Sequence, residues 1–163
     1  MSERHHHGTS DSPGAADADR STGKDVANIA DPNGLSDGLD HLLSSIEGRR
    51  ILVVEDEILV AGELADDIEE LGGEVVGPAY SMSDALRISG SSEIDAAILD
   101  INLNGKEVFP VSDLLQARGI PFIFHTGTVK GPSALKLYDG VPVVSKPSLT
   151  IDLLQALQSV LGS

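Results

Sequence analysis

The chain has 163 residues, 40% of them apolar and only 3% aromatic, with 26 acidic against 11 basic side chains and a formal net charge of −15. That length and apolar share suit one aliphatic α/β core, while the acidity sets the surface against nucleic acid and anionic membranes. The chain holds no cysteine, which excludes a disulfide frame and a thiolate zinc site; no apolar run approaches the ~18 residues of a membrane span and the N-terminus lacks a signal-peptide core, so a cytoplasmic protein is expected.

Residues 1–34 are rich in Ser, Gly, Asp and Ala and hold almost no large apolar groups. Such a segment cannot bury enough surface to offset its ordering entropy, and disorder is expected there. His5, His6 and His7 form a short run that reads as a tail or tag remnant rather than a metal site. The first 48 residues carry nine acids and three bases and the remainder seventeen and eight, so the acidity is spread over both parts. Residues 35–48 read as a short amphipathic helix and linker. Leu35, Leu39, Leu42, Leu43 and Ile46 share one helical face, Ser36 can cap it and Gly48 can end it. Periodicity leaves open whether this helix lies against the following domain or receives a partner.

Residues 49–163 form the regular part. Ile51–Glu55 reads as a buried strand. Glu57–Leu71 reads as a helix with Leu64, Ile68 and Leu71 inward, ended by Gly72-Gly73. Glu74–Ala79 is a second strand, stopped by Gly77-Pro78. Ser81–Ser89 is a helix capped by Ser81 or Ser83. Asp95–Leu99 is a third strand, Glu107–Arg118 a helix closed by Gly119, and Pro121–His125 a fourth strand. Pro132–Tyr138 is a short helix at most. Val141–Ser145 is a fifth strand. Ser148–Leu161 is a final amphipathic helix with Leu149, Leu153, Leu157 and Val160 or Leu161 on one side.

Strands alternating with helices at these lengths imply a parallel sheet covered on both faces. Five such repeats are too few for an eightfold barrel, which leaves a doubly wound α/β sheet. In that architecture function gathers beyond the C-terminal ends of the strands. Glu55 and Asp56 follow the first strand, Asp100 the third, Thr126 the fourth and Lys146 the fifth. A lone Asp or Lys-Pro at a strand end means little. Two acids, a third acid, a hydroxyl and an amine in this order at one rim are specific.

This constellation resembles the receiver domain of two-component response regulators over residues 49 to about 161. The resemblance implies a flavodoxin-like five-stranded sheet in the order 2-1-3-4-5. It implies that Glu55 and Asp56 are the acidic pair and Asp100 the phosphoacceptor. Asn102 would lend its backbone carbonyl to a Mg²⁺ site, Thr126 would be the switch hydroxyl and Lys146 the phosphate-contacting amine. A cis Lys146–Pro147 bond is also implied.

The residues carry the same chemistry by themselves. Two carboxylates about 4 Å apart repel by about 4 kcal/mol at an effective dielectric near 20. Three facing one another need a cation or a proton. Oxygen-only ligands suit a hard ion such as Mg²⁺. Asp100 can then act as nucleophile and form an aspartyl phosphate, with positioning and charge stabilisation as the main demands. Lys146 supplies a point charge for one phosphoryl oxygen and Thr126 a hydroxyl for another. Glu55 is read as contacting a metal-bound water rather than the ion, and Glu57 as a helix N-terminal charge.

PFIFHTGT, Pro121–Thr128, is similar to the PFxFATG signature of single-domain receivers from alphaproteobacteria tied to stress signalling. Here His125 replaces Ala. DINLNG and EVFPV fit the same subset, and Val143 stands where ordinary receivers carry a switch aromatic. His125 is read as packing at the strand end or as a hydrogen-bonding group near the phosphate, and Thr128 as setting the access of attacking water.

The last predicted helix ends at Leu161, so a stand-alone receiver is expected, taking its phosphoryl group from a histidine kinase or phosphotransfer protein. Its output would be protein–protein contact through helix 4, strand 5 and helix 5. Two other classes compete. A haloacid-dehalogenase-type phosphatase wants a second Asp two residues after its nucleophile, where this chain has Asn102. A receiver-like interaction module would keep the same residues without phosphoryl turnover. A flavin binder would need a Ser/Thr/Gly loop after the first strand, where this chain has acids.

Overall fold

The structure is a computed structural model and describes residues 35–127 and 133–162. The expected disordered tail, the histidine run and Thr128 lie outside the described residues.

Helix α1 (Leu35–Ile46) leads into β1 (Arg50–Val54), α2 (Ile58–Glu70), β2 (Glu74–Ala79), α3 (Met82–Ser91) and β3 (Ala96–Leu99). A two-residue hairpin follows, β4 (Asn102–Leu103) with β5 (Lys106–Glu107), and then α4 (Phe109–Ala117) and β6 (Phe122–Thr126). A 3-10 helix (Ser133–Tyr138), β7 (Val143–Ser145) and α5 (Thr150–Leu161) complete the chain. Five parallel strands make the main sheet in the order β2-β1-β3-β6-β7. That is the expected 2-1-3-4-5 once the small hairpin is set aside.

The central strands are apolar on both faces because both faces are covered. Residues 51–54, 96–99 and 122–126 are all buried, whereas the edge strands β2 and β7 are mostly half-exposed or exposed. Alternation splits the side chains into two cores. Leu52, Val54, Ala97, Leu99, Phe122 and Phe124 meet Ala85 of α3 and Val111 and Leu115 of α4. Ile51, Val53, Ala96, Ile98 and Ile123 meet Ala61, Leu64 and Ile68 of α2 and Leu153, Leu154 and Leu157 of α5. Ile46, at the end of α1, is fully buried in the second core, and α1 packs along α5. The helix therefore lies against the domain, one of the two alternatives its periodicity allowed.

Several boundaries differ from the pattern-based ones. Gly77-Pro78 lies inside β2 instead of ending it: the β1–β2 register shifts there, and Gly77 takes φ +98°. Helix α4 starts at Phe109 because Lys106–Glu107 pair with Asn102–Leu103, which removes Glu107 from the helix. Leu149 is not on the inner face of α5; it precedes the helix at its N-cap and is 69% exposed. The 3-10 segment is tied down by Tyr138, whose ring stacks on Phe109 and meets Phe122 and Phe124 edge-on.

Candidate functional site

Strand ends build one rim. Glu55 and Asp56 leave β1, Asp100 leaves β3, Thr126 ends β6 and Lys146 follows β7. β1, β3 and β6 are neighbours and parallel, so their C-terminal ends lie together. The ladder runs on into the site: the Asp100 N–H donates to the Val54 carbonyl at 2.8 Å and the Lys146 N–H to the Thr126 carbonyl at 2.9 Å. A cleft of about 320 Å³ is lined by Asp56, Asp100, Asn102, Thr126 and Lys146 among others.

One carboxylate oxygen from each of Glu55, Asp56 and Asp100 lies within 4.8 Å of the other two. Lys146 Nζ donates to Glu55 Oε2 at 2.5 Å and to Asp100 Oδ2 at 2.9 Å. Glu55 is 1% exposed and Asp100 7%. Burial pushes the Glu55 carboxyl above its usual range, against the pull of Lys146 and of the Glu57 backbone N–H. Burial works to lower the Lys146 ammonium, but the bonds to Glu55 and Asp100 outweigh it and hold the group above its usual value. Three carboxylates facing one ammonium leave an excess of two negative charges in a largely buried cluster. That excess and an all-oxygen donor set fit a hard divalent cation such as Mg²⁺.

No family model matches the chain. Among relatives, the phyllosphere-induced regulator PhyR of Methylorubrum extorquens is 34% identical over 105 residues, which are 63% of this chain and 38% of PhyR. The chain thus spans little more than a third of that curated relative's length. Among solved structures, SdrG from Sphingomonas melonis Fr1 is 38% identical with a TM-score of 0.62, the match covering 70% of this chain and 97% of SdrG. A CheY-like response regulator receiver domain protein from Methanospirillum hungatei JF-1 is 25% identical with a TM-score of 0.63, over 71% of this chain and 95% of that one. The chain belongs to the response regulator receiver family.

For this receiver the structure brings Glu55, Asp56, Asp100 and Lys146 into mutual reach, with Thr126 on the wall of the same cleft. Asn102 reaches the site through its backbone: its N–H donates to Asp100 Oδ1 at 3.2 Å. The Lys146–Pro147 bond is cis, as the resemblance implied. Glu57 precedes α2 and donates its N–H to Glu55 Oε1 at 3.1 Å. His125 turns to the other face of β6, the side of Ile123, and its Nε2 lies 3.0 Å from Ser148 Oγ.

Asn104 escaped the sequence reading. Its backbone N–H donates to Asp56 Oδ2 at 2.8 Å and its side chain to the Tyr80 carbonyl at 3.1 Å. The available signal was the Asn104-Gly105 dipeptide, a hairpin turn mark. Both residues take positive φ, 51° and 81°, between the two strands of the small hairpin. The turn thereby aims a donor at one acid of the pair.

Proposed function

We propose that this receiver accepts a phosphoryl group on Asp100 from a histidine kinase or phosphotransfer protein and passes the signal on by protein–protein contact. Residues 49–163 are the phosphoacceptor unit and residues 35–48 an added helix docked on it. The observation that carries this reading is Lys146 Nζ bridging Glu55 and Asp100, with Asp56 in the same cluster. An Asp100 oxygen attacks phosphorus, the phosphorus–nitrogen bond of a phosphohistidine donor breaks, and its electron pair returns to the donor imidazole. Lys146 balances charge on the phosphoryl oxygens, and Thr126, at the end of β6, offers its hydroxyl to one of them. Asp56, Asp100 and the Asn102 carbonyl would hold Mg²⁺, with Glu55 on a metal-bound water, and the ion would supply neutralising charge to the transferring group. The protein turns over no substrate other than its own acyl phosphate.

Exposed apolar groups border the rim. Ile58 and Leu59, in the first turn of α2, are 71% and 82% exposed, and Leu149, three residues past Lys146, is 69% exposed. They suit a donor protein docking over the site. The similarity of PFIFHTGT to the alphaproteobacterial PFxFATG signature supports a place in stress signalling. None of the described helices is long and apolar enough to cross a membrane, and a cytoplasmic place suits a partner of kinases. With acetyl phosphate and Mg²⁺, intact mass should rise by one phosphoryl group, and neither EDTA-treated wild type nor Asp100→Ala should gain it. A wild type that stays unmodified under all donors would favour an interaction module without phosphoryl turnover.

A further inference from the structure

We propose that His125 is a positioning residue for Lys146, holding the turn that carries the lysine through its hydrogen bond to Ser148. The inference rests on the phosphoacceptor reading above. β6 and β7 pair in register with His125 opposite Val144 and Thr126 opposite Ser145. On one side Lys146 is fixed by its own N–H on the Thr126 carbonyl, at 2.9 Å. On the other, only Pro147 separates it from Ser148, whose Oγ lies 3.0 Å from His125 Nε2. Two anchors on adjacent residues of β6 therefore flank the lysine and limit the arc its ammonium can sweep. Asp100 and Glu55 are the groups that ammonium must reach.

A residue that only filled space here would be aliphatic. The imidazole is 5% exposed, and its Nδ1 has no partner. Burying such a ring costs free energy that an Ala, the residue of the signature this segment resembles, would not incur. Burial and the nearby Lys146 charge keep the ring's pKa down at about 4, so it is neutral at neutral pH and adds no charge beside the lysine. A neutral ring donating its Nε2–H to Ser148 leaves Nδ1 as a bare acceptor, a cheaper orphan than a buried N–H. The ring sits where the apolar core of α2 and α5 meets a cavity lined by Glu63, Asp67 and Ser148, and the bond it makes there is to the lysine's turn.

The test compares labelling rates with acetyl phosphate at saturating Mg²⁺ in the full chain, for wild type, His125→Ala, Ser148→Ala, the double variant and His125→Gln. Ser148 is only half-buried, so Ser148→Ala keeps the fold if His125→Ala does not. Each single Ala variant should slow labelling by about fivefold or more, short of the roughly 10²-fold that a 1 Å misplacement of a catalytic group can cost. The double variant should be no slower than either single one. Gln, whose amide nitrogen reaches the place of Nε2, should restore the rate to within about twofold, a rescue that mere packing would not give. The Mg²⁺ concentration for half-maximal rate should not move, because Lys146 does not bind the ion. Unchanged rates in both Ala variants, losses that multiply in the double variant, or no rescue by Gln would overturn the assignment. A wild type that takes no label would defeat the phosphoacceptor reading itself; a labelled wild type matched by its Ala variants would defeat only the role of His125.

Discussion

His125, in β6, and Lys146, just past β7, meet at the turn that Ser148 belongs to, and both are defined by what burial does to a basic group. For Lys146, two carboxylates offset the loss of water and hold the charge. For His125, burial depresses the pKa from 6.5 to about 4. The unfolded chain protonates this ring near pH 6.5 and the folded chain only near 4, so its effect on stability is absent above 6.5 and grows as pH falls through that window. Between pH 7 and pH 5 this one group should remove about 2 kcal/mol of stability. Urea denaturation of wild type and His125→Gln at both values measures it: the variant should lose less by about that amount, and identical losses would mean the ring is solvated. At this scale the sequence was informative where chemistry is borne by side chains. Glu55, Asp56, Asp100, Thr126 and Lys146 are legible because acids, a hydroxyl and an amine stand at the ends of apolar runs. The Asn104 contact to Asp56 was not, because the donor is a backbone N–H that no composition marks.

Helix α1 adds a surface the five βα repeats do not need, and its last residue has become part of their core. Ile46 is fully buried, and a Cβ on Gly73 would come within 3.0 Å of its Cγ2. Gly73 is thus the gap into which α1 closes. Ile46→Ala should destabilise by about 2–4 kcal/mol, read by urea denaturation; a loss below ~0.5 kcal/mol would show that the helix end is not packed. The first turn of α2 tests the docking face in the opposite way. Leu59 is 82% exposed and touches no core, so Leu59→Asp should leave labelling by acetyl phosphate and thermal stability unchanged while slowing transfer from a phosphorylated kinase or phosphotransfer domain at least threefold. Equal transfer rates would move the donor contact elsewhere. Element types followed from periodicity, yet their limits did not. The bulge in β2, the late start of α4 and the exposure of Leu149 are set by partners across the fold: a register shift, a hairpin and an N-cap.

For the whole molecule, the strand order was legible through resemblance more than through pattern. Alternating apolar runs dictate a covered parallel sheet, whereas the neighbours of each strand depend on contacts between residues far apart in the chain. The two cores cover both faces of the sheet, and the acids collect where the strands stop, so apolar packing brings the charge cluster together before its own bonds complete it. Arg50 and Asp95 brace the opposite ends of β1 and β3, with Asp95 accepting the Arg50 N–H at 2.8 Å and its Nε at 3.1 Å. What that scaffold is for can be read chemically. An acyl phosphate is reduced by borohydride to the alcohol, so a phosphorylated aspartate becomes homoserine while an unmodified one does not. After acetyl phosphate, Mg²⁺ and borohydride, peptide mass spectrometry should find homoserine at position 100 and at no other aspartate. Homoserine at Asp56, or none anywhere in a chain that has gained phosphoryl mass, would contradict Asp100 as the acceptor.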